Sequence, residues 1–497
     1  MADLRDVRAS PDRKGSDDLL KADVEHRSFG SNEVSEAELG SVDEKRLLRK
    51  IDWQLLPVLS LLYLLSFLDR TNIGNASLFG LQADLKLVGD QYSAALAVFF
   101  ATYVIFEVPS NLVMKAWKPS LWLPIIMIAW GIVITLTGIV QNFAGLFSTR
   151  VFLGVAEAGL FPGVTFFISQ WYRRHEVNFR IAIFFSAATA AGAFGGLLAR
   201  LIQLMNGKAG LAGWRWIFIL EGILTVVIAA ASFFFLHDYA DTAKFLSPTE
   251  KAVVKARLHR DHCGLSGRFD RKFVVQGLTD WKIWVGCLMY IGCLMPVYCF
   301  SLFSPTLVTN LGYSGATSQL LSVPPYVLAA ITTISAGFLS DRAGQRAPFI
   351  FAFGTLGLVG FIMNLASSNS AVGYAGLYIG AAGIYPLIPL TISITGNNIG
   401  GSTKRAVGMG LINSIGNAGG IISSFIYPAK DKPRYITGHS TVIAFIAMNM
   451  ILTGLMVLYW SRQNAKRADA HARKWSVEET LQHEDEGDDA PFYKYTL

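Results

Sequence analysis

Apolar residues in this chain are gathered into blocks of roughly twenty or more, parted by short polar stretches. A helix needs about twenty apolar residues to cross a bilayer, and these blocks have that length. They do not alternate and they exceed the length of barrel strands, so a helical membrane protein is expected. The pattern predicts spans at about 51–70, 91–116, 120–141, 143–172, 178–204 and 214–237, then a polar loop of about forty residues. Six more follow at about 281–310, 318–340, 347–367, 371–397, 405–428 and 438–461. Twelve crossings put both ends of the chain on one side of the membrane. Residues 1–45, rich in Asp, Glu, Ser and Lys, predict a disordered tail, and 462–497 form a second, charged tail.

Charge then orients the spans. Loops after even-numbered spans carry Lys115, Lys118, Arg173, Arg174, Arg342, Arg346, Lys404 and Arg405, and the long loop at 238–280 adds eight more basic residues. The loops after spans three, seven and nine have none. By the positive-inside rule both tails and the long loop are cytosolic, with Lys430, Lys432 and Arg434 as an exception before the last span. The net charge of +7 is thus explained as a topology signal, and no nucleic-acid partner is expected. Within the long loop, Ser247-Pro248-Thr249-Glu250 reads as an N-cap, a proline at N1 and a capping-box Glu at N3. It predicts a short amphipathic helix through about His259. The four cysteines have no metal-site spacing, and no cofactor or metal is expected.

The two halves repeat. Ala158-Gly159-Leu160-Phe161-Pro162 returns as Ala382-Gly383-Ile384-Tyr385-Pro386, an offset of 224 residues. Gly192, Gly195 and Gly196 return at the same offset as Gly416, Gly419 and Gly420, faces of small residues that let helices pack closely. The expected architecture is an all-α membrane protein of twelve transmembrane helices in two pseudo-symmetric six-helix bundles, 46–237 and 281–461. That layout resembles the major facilitator superfamily, which implies a substrate site near mid-membrane between bundles that rock alternately.

Ionised groups inside the spans are the chemical signal. Each costs roughly 2.5–3.5 kcal/mol at the centre of a membrane helix, so each needs a partner or a task. The first half holds Asp69 and Arg70 at the end of span one, Glu107 in span two, Arg150 and Glu157 in span four, and Glu221 in span six. Arg150 and Glu157 lie almost two turns apart on one helix face, roughly 10 Å along the axis and too far for a direct pair. Glu107 and Glu221, near span ends, read as structural. The second half offers neutral groups, among them Tyr298, Tyr326, Tyr385, Asn413 and Asn417. Asp69, Arg70, Arg150 and Glu157 read either as a static network between helices or as a pathway. In the pathway reading an anion neutralises an arginine, and the carboxylate so released takes up a proton.

Phe67-Leu68-Asp69-Arg70-Thr71-Asn72-Ile73-Gly74-Asn75-Ala76 resembles the span-one signature of the anion:cation symporter family in its fungal allantoate-permease branch. Phe106-Glu107-Val108-Pro109-Ser110-Asn111 and Trp214-Arg215-Trp216-Ile217-Phe218 resemble other signatures of that branch. The resemblance covers about 46–462. It implies Arg70 as the substrate-carboxylate contact, Asp69 and Glu157 as proton carriers, and Arg150 as partner of the acids. Tyr298, Tyr326, Tyr385 and Asn413 are the expected neutral contacts, with the tyrosines read either as a stack for a flat ring or as ordinary interfacial or packing residues. Gly337-Phe338-Leu339-Ser340-Asp341-Arg342-Ala343-Gly344-Gln345-Arg346 resembles the superfamily's loop motif, in which Asp341 faces a helix start of the other half and gates with Arg342. The expected function is proton-coupled symport of a small organic anion such as nicotinate, pantothenate or allantoate, by a monomer in the plasma membrane. Export of an acidic metabolite is the alternative, and a non-transporting nutrient sensor a third reading. No nucleophile–base pair or phosphate-binding loop points to an enzyme.

Overall fold

The computed structural model describes residues 43–261, 271–312, 315–367, 369–427, 434–473 and 482–497, together with Asp431, Trp475 and Glu479. Most of the expected N-terminal tail, residues 1–42, lies outside them. The first bundle comprises α1 (Glu44–Leu78), α2 (Gln91–Ala116), α3 (Pro119–Thr137), α4 (Phe143–Glu157), α5 (Leu160–Ser169), α6 (Arg174–Gln203) and α7 (Gly213–Phe235). The long loop carries α8 (Pro248–Asp261) and α9 (Arg271–Thr279). The second bundle comprises α10 (Trp281–Asn310), α11 (Gly315–Ala343), α12 (Ala347–Ala366), α13 (Ser370–Asn397), α14 (Ser402–Asn417), α15 (Gly419–Ser423) and α16 (Ile436–Lys466). Among the described residues there is no strand. Side-chain caps start several helices: Asp43 accepts from the Lys45 amide, Asn142 from Gly145, Asp280 from Lys282 and Asn369 from Ala371. Each satisfies an amide that the helix itself leaves open.

Eleven segments among the described residues are long and apolar enough to cross a membrane, and large apolar side chains such as Phe234, Leu201, Ile132 and Ile451 cover their outer faces. This is a multi-pass membrane protein. The eleventh expected crossing, at about 405–428, is helical but divides at Ala418 into α14 and α15, and Lys404, Arg405, Asn413 and Asn417 lower its hydropathy. Span four likewise divides at Ala158–Gly159 into α4 and α5. Span one differs most from expectation. It continues to Leu78, so Asp69 and Arg70 sit inside α1 and not at its end. The polar run Thr71-Asn72-Ile73-Gly74-Asn75 looks like a terminus in sequence, but Thr71, Asn72 and Asn75 are buried against other helices.

The capping box forms as its sequence predicts: the Ser247 amide donates to Glu250 at 2.8 Å, and the Glu250 amide to Ser247 Oγ at 3.2 Å. α8 is tied to the first bundle by Lys50–Glu250 at 2.7 Å and Arg257–Glu176 at 2.6 Å. The second loop helix, α9, was not anticipated; Gly277 rests against Val407 of the second bundle. The C-terminal residues do not trail away. After α16, residues 482–497 return beneath the second bundle and bury Asp488, Tyr493 and Tyr495. Asp488 meets Lys404 at 2.5 Å and also Lys282, while Arg467 and Tyr495 donate to its carbonyl at 2.9 Å each. Burial alone would raise the Asp488 carboxyl, but the two lysines outweigh it and hold it below the ordinary carboxylate value.

The bundles meet along α6 and α11, and along α2 with α14 and α15. Glycines at the repeated positions admit the closest approaches. A methyl group on Gly192 would lie 2.4 Å from the Tyr326 ring, and one on Gly420 would lie 2.2 Å from the Phe100 ring.

Candidate functional site

Between the bundles lies a small cavity walled by Phe67, Arg70 and Thr71 of α1, Leu96, Phe99 and Phe100 of α2, Arg150 of α4, and Tyr298, Ser301 and Leu302 of α10. Its volume of ≈ 20 Å³ admits about one water, so the bundles are closed on it. The cations come from the first bundle and the neutral wall from the second.

Arg70 is the centre of a buried polar chain. Its Nε donates to Glu157 Oε1 at 2.7 Å, and its Nη1 donates across the bundle interface to the Tyr298 hydroxyl at 3.1 Å. Ser66 also donates to Glu157, and Tyr298 donates to Asn417 Oδ1. The amide of Asn417 in turn donates to Glu107 Oε2 at 3.3 Å, returning to the first bundle. The Arg70 guanidinium lies over the rings of Tyr103 at 4.7 Å and Phe99 at 5.4 Å, where the ring faces add electrostatic support.

Arg150 departs from expectation. It was expected to partner the acids, yet Arg70 takes Glu157, and Arg150 Nε and Nη2 have no hydrogen-bond partner among the described residues although the residue is only 2% exposed. The helix geometry explains this, since the roughly 10 Å of rise between the two positions keeps Arg150 from bonding Glu157, which α1 reaches through Arg70. Arg70 Nη2 is likewise unpartnered. Two guanidinium groups with free donors therefore border one cavity, one of them paired with Glu157.

Asp69 is placed elsewhere. It faces the interior of the first bundle, accepting from Trp130 Nε1 and Thr225 Oγ1, each at 3.2 Å. Glu221 shares that interior and accepts from Asn72. Among the tyrosines, Tyr298 lines the cavity directly. Tyr385 bonds Ser301 at 2.9 Å and Tyr326 bonds Ser304 at 3.0 Å, one layer behind the wall. Asn413 is buried with both side-chain polar atoms unpartnered among the described residues. Asp341 Oδ2 accepts from the Phe179 amide of α6 at 2.7 Å, and its Oδ1 from Arg346 Nη2 at 3.2 Å. Gly344, with φ of +66°, makes the turn that brings Arg346 back. Arg342 is exposed.

Glu107 was read as structural and instead faces the other bundle. Phe99, Tyr103 and Glu107 recur at four-residue spacing and so share one face of α2, a sign present in the sequence. Ser66 and Arg70 have the same relation on α1.

The Major Facilitator Superfamily model matches residues 59–424. An uncharacterized transporter of Schizosaccharomyces pombe is 37% identical, over 85% of this chain and 87% of its own length. The high-affinity nicotinic acid transporter of Saccharomyces cerevisiae is 33% identical, over 91% of this chain and 85% of its own. Among solved structures, a bacterial homologue of the human lysosomal transporter Spinster superposes with a TM-score of 0.58 at 17% identity, covering 81% of this chain and 96% of that one. This last likeness bears on the fold alone.

Proposed function

The chain belongs to the Major Facilitator Superfamily, and from that premise we propose that it imports a small organic carboxylate together with protons across the plasma membrane. The long loop and both tails face the cytosol in this reading, in keeping with the loop charge. The observation that carries it is the pair Arg70 and Arg150, which border one closed cavity with unpartnered donors. With Glu157 ionised, the three groups sum to one positive charge, which a monovalent acid neutralises. The carboxylate takes Arg150 and Arg70 Nη2 as a two-point clamp, because planar guanidinium donors match carboxylate geometry. As it draws Arg70 away, Glu157 loses its cation and takes a proton; anion and proton then cross together. Asp69 acts from inside the bundle as a second proton carrier, held by Trp130 and Thr225.

The second bundle supplies the wall for the body of the acid. Tyr298 is its contact, and Tyr385 and Tyr326 set the position of Ser301 and Ser304 behind it. A flat aromatic acid suits this wall and the Phe99–Phe100 face, and similarity to a nicotinic acid transporter supports nicotinate as the first candidate. Asp341, bonded to α6 of the other bundle, serves as the cytosolic latch.

The test is uptake of labelled nicotinate, pantothenate and allantoate by cells lacking their own permeases. Import is expected to rise at acidic outside pH and to vanish with a proton uncoupler. Reduced accumulation relative to control cells would reverse the direction, and uncoupler-insensitive import would remove the proton from the mechanism.

A further inference from the structure

We propose that Glu107 is an additional proton-binding carboxyl, joined to the substrate cation Arg70 through Tyr298 and Asn417. The inference rests on the transport reading above and adds a residue to it.

Glu107 is 0% exposed. Its Oε2 accepts from Asn417 and its Oε1 has no hydrogen-bond partner among the described residues. No Lys, Arg or His forms an ion pair with it among the described residues. The titratable groups that face it are Arg70 from α1, Tyr103 from its own helix, and Tyr290 and Tyr298 from α10. From α14 come Ser414 and Asn417, which do not titrate in water. A carboxylate buried without a paired cation is costly, and binding a proton removes that cost. Glu107 therefore holds a proton while the bundles are closed.

The placement gives that proton a role. Glu107 stands on the first bundle and its donor Asn417 on the second, so parting the bundles breaks the bond and opens the carboxyl to water. There the O–H proton passes to water and leaves the carboxylate; on closure a proton from water is taken up again. The same Asn417 is held by Tyr298, which receives a hydrogen bond from Arg70. An acid that claims Arg70 removes the donor to Tyr298, and the change is felt at Glu107 two bonds further along. Occupancy at the arginines and protonation at Glu107 are thus linked through Tyr298 and Asn417 of the second bundle, which bridge two residues of the first.

The test does not need the cargo. Infrared difference spectra of full-length protein in lipid nanodiscs are recorded across a pH titration, reading the C=O stretch of protonated carboxyl groups. Near neutral pH the wild type is expected to show a buried protonated carboxyl whose band disappears in Glu107→Gln and survives in Glu157→Gln, Asp69→Asn and Glu221→Gln. Asn417→Ala keeps the carboxyl and is expected to displace the pH of half-loss by about one unit, the scale of one hydrogen bond to a charged group. An unchanged band in Glu107→Gln overturns the proposal. If that variant does not fold, Asn417→Ala decides, and an unmoved titration overturns it. Loss of the band beside uncoupler-insensitive uptake would refute proton-driven import and leave the Glu107 site standing; an intact band beside proton-driven uptake would do the reverse.

Discussion

Replacing Asp488 with asparagine is the sharpest probe of the C-terminal return. The native carboxylate is 1% exposed and lies between Lys404 and Lys282, which also share Asp280 at 2.7 Å and 3.5 Å. Two lysines and two aspartates make the buried part of the cluster, and the exposed Asp489 adds a third carboxylate to Lys282 at 3.0 Å. Asparagine keeps the shape and leaves the two lysines with Asp280 as their one buried carboxylate, Asp489 being exposed. Removing one partner of a buried pair costs about 3–5 kcal/mol; since Asp280 remains to share, the lower end applies, about 3 kcal/mol. That shifts the docked-to-undocked ratio of residues 482–497 by roughly a hundredfold. Hydrogen–deuterium exchange of the full-length protein reads it directly: the amides of Tyr493, Tyr495 and Thr496 are expected to lose protection by about that factor. The pH dependence has a fixed sign. Because the folded carboxyl is held below its ordinary value, its stabilisation is complete above about pH 4 and is lost as pH falls through the folded value. Equal protection in Asp488→Asn and wild type at neutral pH would refute the claim that these charges hold the segment.

Four further outcomes follow from the site. Arg150→Ala removes a buried cation that has no ion pair among the described residues, so thermal stability in detergent is expected to hold or rise while uptake falls at least tenfold; a stability loss above about 3 kcal/mol would make Arg150 structural. Arg70→Ala breaks the bond to Glu157 and is expected to abolish binding of the acid, read by loss of ligand-induced thermal stabilisation. Glu157→Gln is expected to spare exchange of labelled for unlabelled acid and to abolish accumulation against a gradient; intact accumulation removes Glu157 from coupling. Gly420→Val places side-chain atoms against the Phe100 ring, with an overpacking cost of about 1–3 kcal/mol against the closed state. Uptake is expected to fail and to recover partly when Phe100→Ala is added.

The helical membrane fold was legible because apolar block length is a strong signal, and the repeat at Gly192 and Gly416 was legible because close packing demands small residues. The end of α1 was not. Asn72 and Asn75 look like loop residues until Glu221 and neighbouring helices are seen to enclose them. Of the site, the ionised residues stood out by cost alone, but that Arg70 meets Glu157 depends on how α1 and α4 are rotated against each other, which spacing within one segment does not fix. Glu107 was undervalued because its partner Asn417 lies 310 residues away. The return of 482–497 escaped notice for a related reason: an acidic tail reads as solvated until two lysines at the starts of other helices are found around it.

The placement of both arginines on one side of the cavity, facing Tyr298, Ser301 and Leu302 on the other, has an evolutionary consequence. In the proposed reading the head of the cargo and its body are read by different sets of helices. Exchanging a neutral side chain on α10 can retune selectivity toward a bulkier or flatter acid while the energetic engine stays untouched. A lineage built this way can diversify its diet one uncharged substitution at a time.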